Sequence, residues 1–141
     1  MGRAELLAAL AAYPDRLADA ARAVADRPVP DGEWTSEQVV RHLIAVEVEV
    51  HQARFADLAD GASPTWDWAE PGPWAGEPGL TLDQLLERFA HLRRETVATV
   101  ETMDEAAWAR SGVHATYGSL DVAGLVRNAR THDEEHIRGL G

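Results

Sequence analysis

Apolar residues recur at helical spacing in four separated stretches of the chain. In residues 3–26, Leu6, Leu10, Leu17, Ala21 and Val24 form one stripe, the three-and-four repeat of an amphipathic helix. Pro14 lies inside it and predicts a kink or a restart, and Pro28 and Pro30 end it. The second stretch opens with Thr35 as N-cap and Gln38 three residues on, a capping box, with Trp34 and Val39 as its hydrophobic staple. It should run to about Asp60 and turn Val39, His42, Leu43, Val46, Val50 and Ala53 inward. Thr81 and Gln84 repeat the start signal, with Leu80 and Leu85 as staple. Leu82, Leu85, Phe89, Leu92 and Thr96 then keep helical spacing to about Met103. Asp104 is the expected cap of one short turn holding Trp108, and a loop with His114, Tyr117 and Gly118 follows. Ser119 is the expected cap of the last helix, with Asp121 in its first turn. Its inner side carries Val122, Leu125, Val126, Ala129, His132, Asp133, His136 and Ile137.

No stretch shows the alternation of a half-buried strand. The pattern therefore predicts an all-α fold: one antiparallel four-helix bundle spanning residues 1–141 as a single domain. Between the second and third helices, residues 61–79 hold four prolines, four glycines and three tryptophans, Trp66, Trp68 and Trp74. Proline and glycine forbid a long helix there. The stretch reads as a loop that packs its tryptophans on the bundle, or as a lid or wall over a pocket.

Composition narrows the partners. The chain carries 24 acidic and 13 basic side chains, a formal net charge of −11. Nucleic-acid binding rests on Lys and Arg neutralising phosphates, and Arg93-Arg94 is the only basic pair. Neither nucleic acid nor an anionic membrane surface is an expected partner. Cysteine is absent, which excludes disulfides, thiolate ligands and a Cys nucleophile. Asp15, Arg16, Asp19 and Arg22 break up the Ala/Leu-rich N-terminal stretch, so it reads as an amphipathic helix and not a signal peptide. No apolar run approaches the roughly 18 residues of a membrane span. A soluble, cytoplasmic protein is the expectation.

The candidate chemistry lies in the histidines. His132 and His136, in Thr131-His132-Asp133-Glu134-Glu135-His136, share one helix face about 6 Å apart along the axis. Both rings can then reach one metal ion at Zn–N distances of about 2.0–2.1 Å. Only five residues follow His136, so a third ligand should lie upstream, and His42 stands on an apolar helix face where an aliphatic residue would fit. Buried imidazoles cost free energy unless each finds a partner, and one shared cation would satisfy all three. A zincin protease needs H-E-x-x-H, whereas Asp133 stands in the Glu position; a ferritin-like di-iron site needs E-x-x-H, which occurs nowhere.

Trp34-Thr35-Ser36-Glu37-Gln38-Val39-Val40-Arg41-His42-Leu43 resembles the W-S-x-x-E-V-x-x-H-L entry to the second helix of DinB-like proteins. Phe89-Ala90-His91-Leu92-Arg93 resembles their third helix. His114, Gly118, Leu120 and His132-Asp133-x-x-His136-Ile137 resemble their closing segment. The resemblance implies a four-helix bundle, often homodimeric, with a divalent metal on His42, His132 and His136. Zinc, nickel and iron all suit three imidazoles with open positions. Relatives of this kind include S-transferases using a low-molecular-weight thiol, bacillithiol or mycothiol, and a mycothiol-dependent isomerase. Despite the damage-inducible name, the resemblance does not imply DNA binding.

Three neutral ligands with an open position are the layout of a catalytic site. The expected function is a metal-dependent enzyme on a small-molecule substrate, foremost S-transfer from a small thiol. The alternatives are hydrolysis by an activated water, a metal-bound but non-catalytic ligand-binding bundle, and a metal-free interaction protein. Glu49, seven residues from His42, should share its face and is the candidate general base, with Glu47 on a neighbouring face as the weaker one. Asn128, one turn before His132, is a candidate to orient it or touch substrate. Arg93 is expected to pair with a carboxylate of the bundle, with binding of an anionic thiol as a second role. His51 is expected on an exposed face, His91 at the surface or a dimer interface, and His114 in a structural hydrogen bond near the pocket mouth.

Overall fold

The structure, a computed structural model, describes residues 2–141. Among these, α1 (Arg3–Ala23) is the first of four long helical rods. The second is continuous but composite: α2 (Ser36–Val46), a π-helical segment (Glu47–Gln52) and α3 (Ala53–Ala59). Then come α4 (Leu82–Glu101), the short α5 (Glu105–Ala109) and α6 (Val122–Gly139). Thr35 and Thr81 both close reciprocal capping boxes with Gln38 and Gln84, each pairing two backbone N–H groups that the helix start leaves unpartnered. Asp104 caps α5 through the Ala107 N–H. α1 does not restart at Pro14. Leu10, Tyr13 and Leu17 are all buried, so core packing holds both halves in line against the missing hydrogen bond.

The fold is mostly helical but not all-α. Three short strands form a sheet in the order β1-β2-β3: β1 (Thr65–Trp66), β2 (Ser111–His114) and β3 (Gly118–Asp121). β1 runs parallel to β2, pairing Thr65 with Val113, and β2 runs antiparallel to β3, pairing His114 with Gly118. Strands of two and four residues are too short to display an alternating pattern, which is why the sequence shows only loops there. Ser119 is consequently a strand residue opposite Val113, not a cap. Asp121 caps α6 by accepting from the Gly124 N–H at 2.8 Å. Gly112 is required for β1 to lie against β2, since a Cβ there would fall 2.4 Å from the Trp66 ring.

The core has two clusters. One gathers Leu6, Leu10, Phe55, Leu58, Val100 and Val126 with Trp66 and Trp108. The other gathers Tyr13, Leu17, Val40, Leu43, Leu85 and Phe89. Between Phe89 and Val97 along α4 stands the fully buried Arg93. The π segment shifts the second rod's inner face, because one extra residue per turn breaks the three-and-four repeat. Ala53, expected inside, is exposed, while Phe55 and Leu58 turn inward.

Candidate metal centre

The rod that begins at Thr35 and helix α6 bring His42, His132 and His136 together. His136 Nε2 lies 3.2 Å from His42 Nε2 and 3.1 Å from His132 Nε2. Tetrahedral Zn–N bonds would set ligand nitrogens about 3.3 Å apart, so the rings are spaced as ligands of one ion. His42 is completely buried, and its Nδ1–H donates to the Pro71 carbonyl at 2.6 Å. That bond fixes the tautomer and leaves the Nε2 lone pair facing the other two rings. Trp34 covers the His42 ring, with centroids 4.9 Å apart. Burial, before any neighbouring charge, lowers His132 and brings His136 down to about 4. Neutral imidazoles are what a cation needs as ligands.

A fourth donor comes from the long irregular segment. Glu70 Oε1 is 3.0 Å from His42 Nε2, 3.4 Å from His132 Nε2 and 3.8 Å from His136 Nε2. All four donors lie within 4.8 Å of one another. Sequence reasoning named neither Glu70 nor the Pro71 carbonyl. The available signal was an acidic residue inside a stretch too long to be a mere connector. The segment is pinned to the second rod beside the centre: Arg41 Nη1 donates to the Trp74 and Gly76 carbonyls and Nη2 to that of Glu77, while the Trp74 N–H donates to the Arg41 carbonyl.

A cleft of about 80 Å3 opens beside His132. Val46, Val50, Phe55 and Leu125 form its apolar wall, Asn128 and Glu70 line its polar side, and Trp68 and Tyr117 stand at its edge. Asn128 therefore faces the cleft one turn before His132. His114 is buried in β2 and its Nδ1 accepts from the Thr116 and Tyr117 N–H groups at 2.9 and 3.2 Å; it also lines the cleft. His91 is exposed and lies 3.6 Å from Glu95.

Three expectations are overturned by the π segment and by charge pairing. Glu49 is exposed and takes no part in the cluster, because the widened turn rotates it off the face of His42. The same rotation turns Glu47 inward and brings His51 into the cleft wall instead of solvent. Burial lowers His51 to about 4. Arg93 cannot reach a cofactor: it is 1% exposed and its guanidinium is occupied on both edges. It donates to Glu47 at 3.0 and 3.1 Å, to Asp133 at 2.8 and 2.9 Å and to the Leu10 carbonyl at 3.2 Å. Thr96 adds a hydrogen bond to Glu47 at 2.7 Å. One cation thus serves two buried carboxylates. Burial pushes Asp133 up to about 6 even beside Arg93. Burial would also raise Glu47, but the Arg93 charge, His51 and the hydrogen bonds from Arg93 and Thr96 hold it below its ordinary value.

The model of the DinB superfamily matches residues 1–139. No curated protein matches the chain significantly. Among solved structures, YfiT from Bacillus subtilis is similar over 99% of this chain and 87% of its own, with a TM-score of 0.67 and 22% identity. It is described as a probable metal-dependent hydrolase with an unusual four-helix bundle topology. At that identity the likeness establishes the fold.

Proposed function

The chain belongs to the DinB superfamily, and on that premise we propose that it is a metal-dependent hydrolase of small molecules. His42, His132 and His136 would hold the metal, with the Glu70 carboxylate beside them. The observation that carries the reading is the convergence of three ring nitrogens, two of the separations being 3.1 and 3.2 Å, with His42 tautomer-locked by Pro71. The description of YfiT supports hydrolysis as the reaction. A divalent ion bound there supplies Lewis acidity, polarising a carbonyl and lowering the proton affinity of water.

The chain's own groups do the rest. His42, anchored by the Pro71 carbonyl, keeps its lone pair aimed at the centre. Glu70, 3.0 Å from His42 Nε2, is the carboxylate placed to accept the proton that water gives up. Asn128 offers a donor and an acceptor to the substrate beside His132. The apolar wall of Val46, Val50, Phe55 and Leu125 takes the apolar part of the substrate beside the centre.

Elemental analysis of untagged protein should find one equivalent of a divalent transition metal, lost in His42→Ala. Hydrolysis of an ester and amide panel should be abolished by chelator and restored by zinc, nickel or iron. A protein that carries no stoichiometric metal refutes the reading. The S-transfer that the family resemblance implies would use the same ion, and its assay is chelator-sensitive loss of a small thiol in the presence of a haloarene. Thiol consumption without ester hydrolysis would replace the hydrolase reading with that one.

A further inference from the structure

Arg54 differs from other arginines that are at least partly buried: Arg41 donates to three backbone carbonyls and Arg110 to two. Arg93 is surrounded by carboxylates, whereas none of the ion pairs among the described residues includes Arg54, although the chain has 24 acidic side chains. Its Nη2 donates to the Asp67 carbonyl at 3.0 Å, and its guanidinium lies 5.9 Å from the Trp66 ring. One bond leaves most of its five donors unused. It lines the same cleft as His132, one turn beyond His51 on the second rod. Burial lowers its affinity for its proton. A half-buried, unpaired cation in an apolar cleft costs free energy until an anion meets it.

The cleft is also polarised. Glu70 and Glu135 act electrostatically on His132, while Arg54 acts on His51 and His114, where Glu47 and Asp67 oppose it. Around the Arg54 end stand aromatic rings. His114 and Tyr117 have centroids 4.8 Å apart, and Trp68 lies 6.3 Å from Tyr117. Trp68 and Tyr117 are more than half exposed, the state of rings that a flat or bulky apolar ligand would cover.

Resting on the hydrolase reading, we propose that the substrate is a carboxylate-bearing small molecule with an aromatic or branched apolar body. Its carboxylate is held by Arg54 and its body by Trp68, Tyr117 and the apolar wall. Its scissile bond then lies toward Glu70 and the three histidines. The guanidinium fork matches a planar carboxylate through two parallel hydrogen bonds.

The test is a titration of the full chain, metal-loaded and metal-stripped, with phenylacetate and with neutral phenylacetamide, followed by tryptophan fluorescence. Phenylacetate should bind about ten- to a hundredfold more tightly than the amide in both forms. Arg54→Gln should erase that preference, and Arg54→Lys should keep part of it. With paired aryl esters, Arg54→Gln should raise KM for the carboxylate-bearing member far more than KM for the neutral one. Equal affinity for acid and amide, or a preference that survives in Arg54→Gln, overturns the proposal. So does a preference lost on metal stripping, since the ion and not Arg54 would then hold the carboxylate. A preserved binding preference with no ester hydrolysis would leave the carboxylate site standing and remove the hydrolase reading.

Discussion

Two polar clusters both draw on the second rod and α6, and they are built to opposite ends. In the first, Arg93 meets Glu47, Asp133 and the Leu10 carbonyl, and Thr96 completes the shell of Glu47. In the second, three imidazoles and the Glu70 carboxylate converge on one point, next to a cleft. Asp133 belongs to the closed cluster and His132, its immediate neighbour, to the open one. Consecutive residues on a helix point about 100° apart, so a single turn of α6 serves both. The closed cluster finds all its hydrogen-bond partners within the protein and ties the second rod, α4, α6 and α1 together. The open one gathers three ring nitrogens and a carboxylate oxygen at the spacing of ligands to one ion.

The largest expected effect tests the closed cluster. Arg93→Met keeps the apolar stem but strands two buried carboxylates, which should destabilise the fold by about 3–5 kcal/mol. Thermal or urea unfolding measures it, and a loss under about 1 kcal/mol would mean that the cluster is not the closed structural unit described here.

The next prediction addresses the open cluster. Glu70→Gln should leave stability and metal content near those of the natural protein while lowering kcat about 10²–10⁴-fold, the usual contribution of a positioned base. A variant that loses its metal but not its turnover per bound ion would make Glu70 a ligand alone.

Acid separates the two clusters more finely. Glu47 is held below its ordinary pKa in the fold, so the stability it supplies is fully present above about pH 4.5 and drains away as pH falls through its folded value. The stability gap between the natural protein and Glu47→Gln should therefore be widest near neutrality and close on acidification. A gap that does not change with pH would show that Glu47 contributes through shape and not charge.

The smallest effect falls on Glu49. Exposed and rotated off the His42 face by the π turn, it should tolerate Glu49→Gln with stability within about 0.5 kcal/mol and turnover unchanged. A hundredfold loss of kcat would restore it as the base and move the catalytic carboxylate from the loop to the helix.

Much of the fold can be read directly from the chain. The capping boxes at Thr35 and Thr81 set two helix starts to the residue, because a cap needs only neighbours three positions away. His132 and His136 share a face by helical spacing alone, and the family pattern adds His42. Three things lie beyond that reach. The π segment reassigns Glu47, Glu49 and His51, since a widened turn carries no mark in a local apolar pattern. The sheet forms because a two-residue strand from the long loop pairs with a distant hairpin. Glu70 enters the histidine cluster from 28 positions beyond His42 and 62 before His132, through a segment with no periodicity at all.

Sequence alone therefore determined the four long helical stretches, the two starts marked by capping boxes and the facing of His132 and His136, because those depend on spacing within a few turns. Which carboxylate joins the histidines, which one is locked to Arg93 and which is left in solvent was decided only in three dimensions. Side-chain direction along the second rod depends on an extra residue in one turn, and loop position depends on contacts made far away in the chain.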